Sequence, residues 1–133
     1  MNDPISDMLT AIRNAQAVRH PTVSLPFSNL KYEIAKILEK EGLVENVEKK
    51  GKKIKRSIEI TLKYEGEVPH NRPAISGLKM ISKPGQRIYL PVKKIKRVRG
   101  GYGITIISTP KGLMTNKEAK RQKIGGEVIC EIW

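Results

Sequence analysis

The sequence predicts an α+β chain of two small lobes, with helices packed on a small sheet in the first and a mainly β second lobe with short helices. Three observations carry that expectation. Apolar residues recur at helical spacing twice in the first lobe, and a capping-box pattern marks one short helix in the second. Elsewhere they alternate at period two. Both patterns stop across residues 65–73, where Pro69 and Pro73 hold their neighbours in extended geometry. The lobes are therefore expected at residues 1–64 and 74–133, joined by a linker at 65–73.

In the first lobe, Asp3 precedes Pro4 as an N-cap precedes an N1 proline, and Ile5, Met8, Leu9 and Ile12 follow at helical spacing, giving a helix to about Val18. Residues 22–26 form a short strand. Ser28 caps a second helix whose Leu30, Ile34, Ile37 and Leu38 make one apolar stripe, and Gly42 stands where a left-handed residue would end it. Residues 43–48 and 54–64 flank the basic turn Lys49-Lys50-Gly51-Lys52-Lys53, with Ile58, Ile60, Leu62 and Tyr64 alternating. The expected result is a hairpin beneath two helices.

In the second lobe, strands are expected at 75–81 and 87–90, paired across Lys83-Pro84-Gly85-Gln86, where Pro then Gly suits a type II turn. The basic run 93–99 leads into Gly100-Gly101-Tyr102-Gly103 and a strand at 104–108. Thr115-Asn116-Lys117-Glu118 is a capping-box pattern opening a short helix, which Gly125 and Gly126 are expected to terminate. A last strand, 127–132, closes the lobe.

Charge narrows the function. The chain of 133 residues carries 26 Lys plus Arg against 13 Asp plus Glu, a net charge of +13, which attracts polyanions such as nucleic-acid backbones or acidic membranes. The excess is uneven: residues 1–66 hold 12 basic and 9 acidic side chains, and residues 67–133 hold 14 and 4. No apolar run is long enough for a transmembrane helix and the amino terminus lacks a signal-peptide pattern, so the expected location is the cytoplasm and no membrane is expected as partner. The single Cys130 cannot form an internal disulfide, in keeping with a reducing compartment.

Catalytic and cofactor signals are poor. His20, His70 and Cys130 lack zinc-ligand spacing, carboxylates are few in the basic half, and Gly100 to Gly103 precedes a strand rather than a helix, unlike a nucleotide-binding loop. No enzyme, metal or cofactor is therefore expected. The segment Ser108-Thr109-Pro110-Lys111-Gly112 instead places small polar donors at a strand end in basic surroundings, suited to the wide, shallow minor groove of folded RNA. The bland alternative is turn formation. Tyr89 is either a stacking platform or a core ring with its hydroxyl at the rim; Glu127 is either an acceptor for a base amine or one half of an ion pair. Arg87, Lys93 and Lys94 supply nearby charge, whereas Lys49 to Arg56 is as readily a solvated hairpin tip. A sequence-tolerant DNA-binding protein would use the same positive lobe, although no recognition-helix pattern is visible.

Several ordered segments in both lobes resemble one family, the bacterial or plastid type of small-subunit ribosomal protein number eight. They are Asp3-Pro4-Ile5-Ser6-Asp7-Met8-Leu9-Thr10 with Ile12-Arg13-Asn14, Gly77-Leu78-Lys79 with Ile81-Ser82-Lys83-Pro84-Gly85, Gly103-Ile104, Ser108-Thr109, Lys111-Gly112, Met114-Thr115 and Gly125-Gly126-Glu127. The resemblance spans essentially the whole chain. It implies two tightly associated lobes and a primary binder of the central domain of small-subunit ribosomal RNA that acts early in platform assembly. It implies ribosomal-protein neighbours, numbers five and twelve among them, and in many bacteria feedback binding to the messenger of the protein's own operon. A plastid ribosome is as compatible with it as a cytoplasmic one.

Carried over by motif, the turn from Ser108 through Gly112 would contact an irregular RNA helix, with Tyr89 and Glu127 on the same surface, while Asn14 and Lys31 would supply contacts from the first lobe. The chain departs from the family at Pro110, where a third small hydroxyl residue is common. Proline removes a backbone donor and a hydroxyl there and fixes the local φ.

Overall fold

The computed structural model of the protein describes residues 3–98 and 102–133. Arg99, Gly100 and Gly101, which belong to the expected basic run and glycine turn, lie outside the described residues. The chain divides into two compact units between Ser76 and Gly77. Its mixture of helices and antiparallel sheets is the expected α+β class.

The first unit opens with α1, Pro4–Ala17. The Asp3 carboxylate accepts from the amides of Ile5 and Ser6 at 3.0 and 3.3 Å, and proline at N1 needs no partner, so the helix start is satisfied locally. Strand β1 is Thr22–Pro26 and α2 is Asn29–Lys40, capped by Ser28 Oγ accepting from the Lys31 amide at 3.2 Å. Gly42, at φ +75°, follows the end of α2 as the C′ position requires. Strands β2, Val44–Lys50, and β3, Ser57–Leu62, form the expected hairpin, joined through a 3₁₀ turn at Lys53–Lys55. β1 adds to the free edge of β3, giving an antiparallel sheet in the order β1-β3-β2. Helix α1 lies against β1 and α2, and α2 against β2. Ile12, Ile34, Leu38, Ile58 and Ile60 are fully buried, as the two periodicities require. Residues 65–73 are more structured than a plain linker: β4, Tyr64–Glu65, pairs with β5, Arg72–Pro73, and Arg19 Nε donates to the Asn71 carbonyl at 3.2 Å.

The second unit is organised around its last strand. It contains β6, Leu78–Met80; β7, Tyr89–Leu90; a 3₁₀ turn at Val92–Lys94; β8, Ile104–Thr109; β9, Gly112–Thr115; α3, Asn116–Gln122; and β10, Gly126–Ile132. β10 pairs with β8 on one edge and with β6 and β7 in succession on the other. The expected pairing of 75–81 with 87–90 is therefore corrected. Both segments run antiparallel to β10 and lie end to end along it, which precludes their forming an antiparallel hairpin. The excursion between them closes on itself. Buried Ser82 accepts from the Ile88 amide at 2.9 Å, while Lys83 and Gln86 exchange two backbone bonds of 2.9 Å. Gly85 does not take the positive φ of a type II turn, so that assignment is also corrected.

Thr115 caps α3 as expected, its Oγ1 accepting from the Glu118 amide at 3.2 Å. The helix is ended not by Gly125 and Gly126 but by Lys123, in left-handed geometry at φ 57°. The glycine pair serves the start of β10.

One carboxylate ties α2 to the sheet of the first unit. Glu39 Oε2 accepts from the Val47 amide and Oε1 from Lys36 Nζ, each at 2.8 Å. The Lys36 bond, then the Val47 bond, hold the Glu39 carboxyl below its ordinary value of 4.5. A lowered folded-state pKa gives stability that is complete above the unfolded value and is lost as pH falls through the folded one. Glu39→Gln should thus be less stable at neutral pH, by at most ~1 kcal/mol after solvent screening. Urea unfolding should show the gap closing in acid; an equal gap at both pH values would refute this role.

Candidate nucleic-acid interface

Register brings residues far apart in sequence into one row. Tyr89 on β7 lies opposite Glu127 on β10, Glu127 lies opposite Ser108 on β8, and Ser108 lies opposite Leu113 on β9. Directly paired residues share a sheet face, so these four side chains stand side by side across four strands. Their sequence neighbours Leu90, Ile107 and Met114 belong with Ile95, Ala119 and Ile124 to one hydrophobic cluster, which α3 covers. Alternation therefore sends the row to the opposite face, at the end of the sheet where Tyr89 is exposed. Tyr89 is 67% exposed, whereas Ser108, Glu127 and Leu113 are half-buried.

This proximity depends on the glycine pair. A Cβ on Gly126 would sit 2.1 Å from the Ser108 carbonyl oxygen, and one on Gly125 2.4 Å from that of Leu90. Both glycines let the start of β10 enter between its neighbours, and Glu127 follows at once.

Within the row, Arg87 Nη1 donates to Glu127 Oε2 at 3.3 Å. Glu127 thus has the ion pair of its bland alternative and keeps acceptor capacity on the same face. The β8–β9 turn has Pro110 and Lys111 at its centre, between the paired Thr109 and Gly112. Proline's fixed φ suits the first central position. Thr109 points inward rather than projecting: its Oγ1 donates to the Gly112 carbonyl at 2.8 Å and accepts from the Lys111 amide at 3.1 Å. Pro110, Lys111 and Gly112 are exposed. Lys93 and Lys94 are exposed on the 3₁₀ turn that follows β7.

Asn14 and Lys31 belong to the other unit. Asn14 is exposed on α1, while Lys31 is only 9% exposed in the first turn of α2. Among the described residues no sealed side-chain nitrogen or oxygen lacks a partner. The Lys31 ammonium makes no such bond, so it emerges at the surface while its stem is packed.

Two features escaped the sequence reading. Leu113 completes the row, visible only through register. Arg97, Lys117 and Lys120 line a cavity of about 460 Å³ with Gly103 and Asn116; its sequence signals were the basic run that holds Arg97 and the i, i+3 spacing of the two lysines. Buried Asn116 braces that region, accepting from the Thr105 amide and donating to the Lys96 carbonyl, each at 3.1 Å. Among the described residues there is no group of three His, Cys, Asp or Glu able to hold a metal, and no helix is long and apolar enough to cross a membrane.

The fold and this row define a small basic α+β protein whose candidate site is the partly exposed end of a sheet face with Arg87 and Lys111 beside it, not an enclosed reaction chamber. Comparison with known proteins makes the assignment specific. The chain belongs to the ribosomal protein S8 family, whose model matches residues 3–133. A "Small ribosomal subunit protein uS8" of Chloroflexus aurantiacus is 54% identical over 135 residues, covering 100% of this chain and 98% of the relative. Proteins of the same name from Synechocystis and Rippkaea orientalis are 51% and 49% identical, over 98% and 99% of this chain and 97% and 98% of their own lengths. Members of this family are ribosomal proteins and not enzymes.

Gly126→Ala should disrupt the β8–β10 approach and lower stability by about 1–3 kcal/mol, the usual cost of overpacking. Urea unfolding measures that loss, and a neutral substitution would show that the close approach is dispensable.

Proposed function

We propose that this constituent of the small ribosomal subunit binds the central domain of the subunit's RNA through the Tyr89–Glu127–Ser108 row, and so helps to assemble the platform. The observation that carries this is the row itself: an aromatic ring, a carboxylate and a hydroxyl on one sheet face, with Arg87 paired to Glu127 and Lys111 in the adjoining turn, and with Lys93 and Lys94 exposed on the 3₁₀ turn after β7. Such a surface matches an irregular RNA helix, which offers 2′-hydroxyls and base edges in a shallow groove and unstacked bases at bulges.

The parts divide by chemistry. Ser108 exchanges hydrogen bonds with a base edge or ribose, Glu127 accepts from a base amine while Arg87 steadies it, and Tyr89 stacks on a base or sugar. Thr109 positions the turn, because its hydroxyl proton is already committed to Gly112. Pro110 holds the same turn through its ring, and Lys111 and exposed Gly112 face phosphate. Lys93 and Lys94 give affinity without sequence information. Asn14 and Lys31 add contacts from the first unit. The same surface serves the messenger of the protein's own operon, wherever that RNA folds into a similar helix. Ribosomal proteins numbers five and twelve are the proposed neighbours, in a cytoplasmic or plastid ribosome.

Ser108→Ala should erase much of the discrimination between a central-domain RNA fragment and a control duplex, costing ~1–3 kcal/mol for the cognate RNA if its partner is left unsatisfied. Equal losses for both RNAs would refute the recognition role. Lys93→Ala with Lys94→Ala should weaken both RNAs and reduce the slope of log affinity against log salt by ~0.7–0.9 for each phosphate that is no longer neutralised. An unchanged slope would remove those lysines from the interface.

A further inference from the structure

The tip of the β2–β3 hairpin, residues 49–56, carries six basic residues, Lys49, Lys50, Lys52, Lys53, Lys55 and Arg56, and no acidic one. Among the described side chains of this tip, Lys50 alone has an ion pair, to Glu59 at 3.1 Å. Two of the others are held by aromatic rings. The Arg56 guanidinium lies 4.4 Å from the centre of the Phe27 ring. Lys49 Nζ lies 4.6 Å from the centre of the Tyr32 ring and 5.5 Å from that of Phe27. The rings themselves are 6.0 Å apart and tilted by 39°. The Phe27 amide donates to the Arg56 carbonyl at 3.1 Å, which fixes one side of the arrangement through backbone.

A solvated hairpin tip needs no such construction, since free lysines protect an edge as well as pinned ones. Here the aromatic faces remove much of the rotamer freedom that two long cations would otherwise lose on binding. Within the described residues, neither cation spends a donor on a protein acceptor. Lys49 and Arg56 are exposed while Phe27 and Tyr32 are half-buried, so the charges form the outer layer. A guanidinium with one face on a ring presents its edge to phosphate and its other face to a base.

We propose that Phe27, Tyr32, Lys49 and Arg56 form a second RNA-contact surface, separate from the sheet row and taking an unpaired nucleotide with its flanking phosphates. The inference rests on the reading of the protein as an RNA binder. An anionic membrane is the competing polyanion, and Ile54, 99% exposed on the same hairpin, would suit it. RNA is favoured because the Arg56 guanidinium on the Phe27 ring is planar and directional, a geometry that a lipid surface does not require.

The test uses the intact protein and a central-domain fragment of small-subunit ribosomal RNA. Lys49→Gln with Arg56→Gln should lower the log–log salt slope by ~1.4, two single-strand phosphate contacts, while keeping the discrimination against duplex RNA that Ser108→Ala loses. Arg56→Lys should restore the slope but not the footprint over the unpaired nucleotide. Phe27→Leu should show the same footprint defect at an unchanged thermal midpoint, which separates cation positioning from folding. Unchanged slope and footprint in the double Gln variant, with Ser108→Ala still defective, would overturn this surface and leave the proposed function standing. Failure of the unaltered protein to prefer the fragment over duplex RNA or DNA would overturn both. Loss of binding to phosphatidylserine vesicles, with RNA binding intact, would assign the cluster to a membrane and overturn the RNA proposal.

Discussion

The second unit depends on β10 being paired along both edges. A strand between two neighbours satisfies its backbone groups on each side, and here one edge is shared by two short strands that could not stand alone. β6 takes the stretch from Cys130 to Ile132 and β7 the stretch from Gly126 to Glu127. The register shift between Val128 and Cys130 on the β8 side adds a local bend where the partners on the other edge change over. The absence of side chains at Gly125 and Gly126 lets this strand begin so close to Leu90 and Ser108. Every member of the polar row inherits its position from that packing.

Two treatments of charge coexist on the molecule. Glu39, Glu59, Glu118 and Glu127 each hold a basic partner, which fixes helices and strands locally at modest energetic gain. The cations beyond these pairs far outnumber the acids and dominate the field, attracting a polyanion with a strength that salt would reduce. The fold then shapes the undirected charge. Around the row it surrounds a polar face, and at the first unit's hairpin it rests cations on aromatic rings. Attraction and recognition thus come from different side chains, and neither requires a catalytic group.

Local elements were largely legible because their causes are local. Asp3, Ser28 and Thr115 cap helices through amides only two or three residues away, and Gly42 ends α2 by its own φ. Alternation at Ile58, Ile60 and Leu62 requires nothing beyond a strand with one buried face. Misreadings arose where a distant partner decides. A Pro-Gly turn suggested a hairpin, but β10 offered both of its arms a better edge. Gly125 and Gly126 looked like a helix stop because a glycine pair reads identically whether it is needed for φ or for space. Lys123 took the left-handed position instead, a modest cost for a non-glycine residue.

The sequence by itself determined the α+β class, the helix starts, the positive charge and the family, since each follows from short-range pattern or from ordered motifs. It also singled out Tyr89, Ser108 and Glu127, though only as separate candidates. Tertiary structure decided that they form one row, that Thr109 turns inward, and that Phe27 and Tyr32 carry Lys49 and Arg56. The reason is physical: strand register and ring–cation contacts are relations between chain segments, fixed by backbone pairing and packing across the fold, and no local window of residues encodes them.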